Sequence, residues 1–230
     1  MISNILTPHW FKKNIKMLIV LFIVFSVLFL STGLYYSLTV PDDYQHRSLI
    51  KMMFIHVPFS WLAMLIYISM CTSLSLFFVK RAVLFDVIAL QSAKNGAIFC
   101  GLSLITGSLW GKSSWGVFWV WDARLTSMLC LFLAYCAYIV VNDLQEKNPE
   151  KHKVLLIFSF IGAINIPIIK LSVEYWNTLH QPASIMRKSG VAIDYVFLKP
   201  LFLMFIGFGF FHLLLLSLRI KSYLLKTDSI

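Results

Sequence analysis

The sequence predicts an all-α integral membrane protein with six transmembrane helices and both termini in the cytoplasm. Three observations predict it. Of 230 residues, 59% are hydrophobic and only 13% charged, about half the charged share of a soluble domain. The apolar residues fall into six runs near the roughly 20 residues that a helix needs to cross a bilayer. The net charge of +10 sits in short clusters between those runs, as in the cytoplasmic loops of membrane proteins. No nucleic-acid recognition motif accompanies it.

The runs are residues 17–38, 57–79, 93–110, 125–141, 154–171 and 200–218. The first is longer than a signal-peptide core and no small-residue cleavage site follows, so a retained anchor is expected. The third is the weakest, being short, with Gln91, Lys94 and Asn95 crowding its start. Its Gly96, Gly101 and Gly107 suit close helix packing in lipid. Cys71, Cys100, Cys130 and Cys136 all lie in apolar runs, without the Cys-x-x-Cys-His of a c-type cytochrome. No repeat or second domain interrupts the chain, so residues 1–230 read as one membrane domain.

Six spans leave both termini on one side. Lys12, Lys13, Lys16, Lys80, Arg81, Lys94, Lys147, Lys151, Lys153, Arg219, Lys221 and Lys226 fall on that side, twelve against eight on the other. The positive-inside bias makes it cytoplasmic. Residues 39–56, 111–124 and 172–199 then face outward.

The middle outward segment belongs to "WGKSSWGVFWVWDARLTS", residues 110–127. It gathers Trp110, Trp115, Trp119 and Trp121, four of the chain's seven tryptophans. A lone tryptophan at this depth is ordinary interfacial anchoring; four so close, spaced by glycine, need another reason. Orientation also sorts the histidines. His9 and His152 are cytoplasmic, His212 lies inside the last run, and His46, His56 and His180 face outward. His56, in "FIHVPFSW", and His180, in "EYWNTLHQP", flank the tryptophans from two different connections. Imidazole is a common metal ligand, haem iron takes axial ligands of this type, and flat aromatic surface suits a macrocycle. Lys112, Arg124, Arg187 and Lys188 could meet its carboxylates. His46 shares the side of His56 and competes with it. Asp122 and Arg124 either pair with each other or mark the start of the fourth helix, where an acid is favoured.

"WGVFWVWDARLTS" resembles the tryptophan-rich WWD signature of haem-handling membrane proteins in cytochrome c maturation. It is most similar to the haem exporter protein C (CcmC) branch of the multi-component pathway. The flanking "HVPFSW" and "LHQPASI" and the six-span layout extend the resemblance over nearly the whole chain. The larger haem lyases of the family have more spans and read W-D-P before an acidic residue; here Trp121 and Asp122 are followed by Ala123, Arg124, Leu125, Thr126 and Ser127.

The resemblance implies a haem b bound transiently on the outer WWD segment, residues 110–127. By the same resemblance, His56 and His180 would be its axial iron ligands. Trp110, Trp115, Trp119, Trp121 and Asp122 form the platform, with Arg124 beside it. It also implies delivery to the membrane-anchored haem chaperone CcmE, with the ATP-binding-cassette pair CcmA–CcmB releasing the loaded chaperone and CcmD assisting. The setting implied is a bacterial inner membrane or a mitochondrial one, with the WWD segment facing the periplasm in the bacterial case.

This reading makes the chain a handler of haem, not a bond-forming enzyme. A lyase attaching haem directly to apocytochrome c is the first alternative, and the short chain and D-A-R-L-T-S form weigh against it. A haem permease is the second. It should carry polar groups within its spans, and the spans read as nearly bare apart from scattered Ser, Thr and Asn165. A purely structural membrane subunit is the third.

Overall fold

A computed structural model describes residues 8–42, 48–176, 178–180, 190 and 193–228. His46, Arg47, Arg187 and Lys188 lie outside the described residues. Within them the chain is all helical: α1 (Pro8–Thr39), a short 3-10 turn (Ser48–Met52) leading into α2 (Met53–Lys80), α3 (Val83–Trp115), α4 (Ala123–Leu144), α5 (Lys151–Tyr175) and α6 (Tyr195–Asp228). All six are long and apolar enough to cross a membrane. They extend past the apolar runs because polar residues at the ends of a run still hydrogen-bond along the helix where the membrane gives way to water.

Helix ends follow local chemistry. Lys80 places a positive charge in the last turn of α2, where the helix dipole favours it. Arg81 then takes the left-handed conformation, φ 52°, and its N–H donates to the Phe77 carbonyl. Extended Ala82 starts α3 at once, so α2 and α3 form a tight antiparallel hairpin. The α3–α4 connection, the end of α1, the start of α2, the end of α5 and the start of α6 share one end of the bundle; the α2–α3 and α4–α5 connections, the start of α1 and the end of α6 share the other.

The core lies between α2, α3, α4 and α5. Tyr67, Phe99, Leu131, Tyr135 and Tyr138 are fully or almost fully buried there. Tyr67 and Tyr135 meet edge to face at 4.8 Å, and the Tyr135 hydroxyl donates to the Ala63 carbonyl at 2.6 Å. A side chain at Gly96 would collide with the Tyr135 ring, which explains one glycine of the third run. By contrast α1 packs chiefly along α6, where Phe25 and Phe29 stack on Phe210.

The expectation of nearly bare spans is not met. Asn95 is fully buried and His212 almost so, and the Asn95 amide nitrogen lies 3.3 Å from His212 Nδ1. Ser92, Ser103, Ser127, Asn142 and Ser159 are buried as well. Each lone polar residue looks incidental along one run. Packing turns them inward, because lipid offers no hydrogen bonds.

Candidate functional site

At the end holding the α3–α4 and α5–α6 connections, a cleft opens between α2, α3 and the start of α4. Its empty space is about 940 Å³ with the open mouth included. Aromatic and apolar side chains dominate the walls, and His56, Arg124 and His180 all line it.

His56 stands in the first turns of α2, beside α3. Its Nδ1 is 3.0 Å from the Ser103 carbonyl oxygen and 3.2 Å from the Thr106 hydroxyl. A carbonyl can only accept, so Nδ1 carries the proton and Nε2 keeps its lone pair. This is how proteins orient a metal-binding imidazole and raise its basicity. The Ser60 and Ser103 hydroxyls meet at 2.6 Å, and Ser60 also donates to the His56 carbonyl, stapling α2 to α3 at this level. A Cβ at Gly107 would stand 2.8 Å from His56 Cε1, so glycine lets the ring lie flush on α3. Trp110 meets the ring edge to face at 5.9 Å.

The tryptophan segment is two structures joined by Gly116. Trp110 and Trp115 belong to α3. Gly116, at φ 79°, closes that helix, its N–H donating to the Lys112 carbonyl; this left-handed cap favours glycine. Lys112 is drawn into the same corner. Its Nζ donates to the Gly116 carbonyl at 2.8 Å and sits over the Phe118 ring.

Residues 116–122 are not helical. In one regular helix Trp119 and Trp121 would point about 200° apart; here they touch edge to face at 5.6 Å. Trp110, Trp115 and Trp119 line the cleft. Trp121 is not among its walls and is 78% exposed. The Trp119 indole N–H is buried and finds no acceptor among the described residues.

Asp122 caps α4. Its Oδ1 accepts from the Leu125 N–H at 2.8 Å, and its Oδ2 accepts from the Thr178 hydroxyl. Of the two roles open to it from sequence, the cap is the one seen, and no Asp122–Arg124 ion pair forms among the described residues. Arg124 is half-buried in the cleft wall. His180 lies beyond Thr178, with Trp115 edge to face at 6.3 Å.

The structure thus gathers His56, His180, Trp110, Trp115, Trp119 and Arg124 around one space. Asp122 braces it from outside, and Trp121 faces away. Sequence reasoning missed Ser103, Thr106 and Thr178. The first two meet His56 only through helix register, which carries no short-range signal. Thr178 had one: a hydroxyl two residues before a histidine can accept that histidine's N–H. Among the described residues no three His, Cys, Asp or Glu side chains cluster to hold a bare metal ion. Two imidazoles suit a metal already held by a ring of four nitrogens.

The sequence profile of a family described as heme exporter protein C (CcmC) matches residues 1–229. The chain is 43% identical over 201 residues to the heme exporter protein C of Bradyrhizobium diazoefficiens, covering 87% of this chain and 76% of that one. A putative cytochrome c biosynthesis ccmC-like mitochondrial protein of Marchantia polymorpha is also 43% identical, over 195 residues, 84% of this chain and 82% of that one. Heme exporter protein C of Escherichia coli (strain K12) is 34% identical over 204 residues, 88% of this chain and 82% of that one. A match over the whole chain, joined to six helices able to cross a membrane, shows that this is a multi-pass membrane protein belonging to the heme exporter protein C family.

Proposed function

We propose that the chain holds haem b in the cleft, non-covalently, between His56 and His180, and passes it on during cytochrome c maturation. One observation carries this: two histidines, His56 in the first turns of α2 and His180 in the α5–α6 connection, line a single aromatic cleft, and His56 has its Nδ1 committed to a carbonyl, so that Nε2 can bind iron. Trp110, Trp115 and Trp119 wall the ring. The Arg124 guanidinium and the Trp119 N–H supply donors for its carboxylates, and the Trp119 N–H is otherwise without a hydrogen-bond partner among the described residues. The protein positions the cofactor, and the chemistry belongs to the haem. The test is the absorption spectrum of the detergent-purified, haem-loaded protein, which should be six-coordinate and low-spin.

The acceptor in this proposal is the membrane-anchored chaperone CcmE, with CcmA–CcmB and CcmD as its other partners. It also places the cleft on the outer, periplasmic face of the inner membrane, on the twelve-to-eight basic bias. A reporter fused after Ile230 should read as cytoplasmic and one near Gly190 as external. A cytoplasmic signal at Gly190 would remove the outer site altogether.

Gly107 gives a sharper test of the His56 wall. A Gly107→Val side chain needs the space the imidazole occupies, so the ring must swing off the Ser103 carbonyl. Haem content should fall about tenfold or more, in line with the loss of a metal ligand's supporting hydrogen bond. Normal membrane insertion with unchanged haem content would show that the seat of His56 on α3 is immaterial.

A further inference from the structure

Residues 178–180, which carry His180, are not part of a helix. Helix α5 ends at Tyr175, and Trp176 is already extended, at φ −123° and ψ 151°. A two-link chain of hydrogen bonds ties the turn at residues 178–180 to the start of α4. The Thr178 hydroxyl donates to Asp122 Oδ2, and the His180 backbone N–H donates to the Thr178 oxygen at 3.0 Å. The direction of each link is forced. An ionised carboxylate only accepts and a peptide N–H only donates, so the group between them must do both, as a hydroxyl can.

Asp122 is itself tied down, because its other oxygen caps α4. Helix α4 is tied to α5 a little further in, where the Asn165 amide donates to the Ser127 carbonyl at 2.7 Å. The start of α4 is therefore a bracket. One face of it lines the cleft through Arg124 and Leu125, and its capping carboxylate holds the loop that brings His180 to that cleft.

We propose that Thr178, anchored on Asp122, is a positioning residue that sets His180 against the cleft. This rests on the reading of His180 as an iron ligand. The tryptophan motif and the second histidine are then one device, since the motif's aspartate reaches the histidine loop through one hydroxyl. A loose loop would hold an axial ligand only part of the time; the bracket removes that freedom before haem arrives.

The test compares haem-loaded full-length Thr178→Val, Thr178→Ser and His180→Ala proteins in detergent. Thr178→Val keeps the volume and loses the hydroxyl. The ratio of iron-bound to unbound His180 should drop roughly ten- to hundredfold, the weight of a hydrogen bond to a charged group. This reads as a mixture of low-spin and high-spin haem that free imidazole returns to low spin. Thr178→Ser should keep the wild-type spectrum. Thr178→Ala serves as a second deletion of the hydroxyl should the valine chain fail to insert, and it should match the expected valine result.

If His180→Ala alone changes the spectrum and the Thr178→Val or Thr178→Ala protein keeps the wild-type one, the positioning role is wrong. Equal loss in Thr178→Ser and Thr178→Val also overturns it, because the hydroxyl would not be the feature that matters. If His180→Ala leaves the spectrum unchanged, the ligand assignment fails instead, whatever the threonine variants do.

Discussion

Replacing His56 by alanine should turn the bound haem from six-coordinate and low-spin to five-coordinate and high-spin, and free imidazole should restore the original spectrum. His180→Ala should do the same from the other side of the ring. The expectation follows from how each imidazole is held. His56 has its Nδ1 spent on the Ser103 carbonyl and its ring pressed on α3 at Gly107, so Nε2 is the atom left for iron. His180 is set by its backbone and faced by Trp115. Affinity for haem should fall by about a hundredfold or more, since even outer-shell partners of a metal ligand are worth ten- to hundredfold. His46 is the control, as it precedes the same helix. If His46→Ala abolishes the low-spin spectrum and His56→Ala does not, the ligand assignment is wrong. If neither His56→Ala nor His180→Ala alters the spectrum, haem is not held between them.

The six spans were legible because each apolar run is local and the bilayer sets its length. What could not be read was which spans sit inside. The third run, the weakest by hydropathy, becomes the most buried of the six helices, and the first, the most apolar, is the least buried. The reason is physical. A helix that faces lipid must be apolar all round, whereas one at the centre of the bundle can carry Asn95, Ser92 and Ser103 against its neighbours. Hydropathy therefore finds the spans and misorders their depth.

The site divides the same way. Tryptophans, glycines and histidines at short spacing announce themselves along the chain. The groups that hold them do not, because Ser103 meets His56 and Thr178 meets Asp122 only after helices far apart in sequence are set side by side. Spacing alone also could not set Trp119 against Trp121, whose contact follows the left-handed turn at Gly116 that ends α3.

That turn decides what each tryptophan should do when removed. Trp115 and Trp119 line the cleft, and replacing either by alanine should weaken haem binding about tenfold to a hundredfold. A ring-stacked aromatic contributes roughly 1 kcal/mol beyond its buried area, and each 1.4 kcal/mol is tenfold in affinity. Membrane insertion should be unaffected, because these side chains stand at the mouth of the bundle and not in the core around Tyr67 and Tyr135. Trp121 is 78% exposed and outside the cleft wall, so Trp121→Ala should retain haem at close to the normal level. Any defect it shows should appear at delivery, where an exposed indole can meet the acceptor. Haem content measured on purified variants, followed by transfer to the acceptor, separates the two stages. Normal loading and delivery by the quadruple Trp→Ala variant would remove the aromatic platform as an explanation. Loss of haem in Trp121→Ala as deep as in Trp115→Ala would place the ring over the exposed face of the segment instead of in the cleft beside His56.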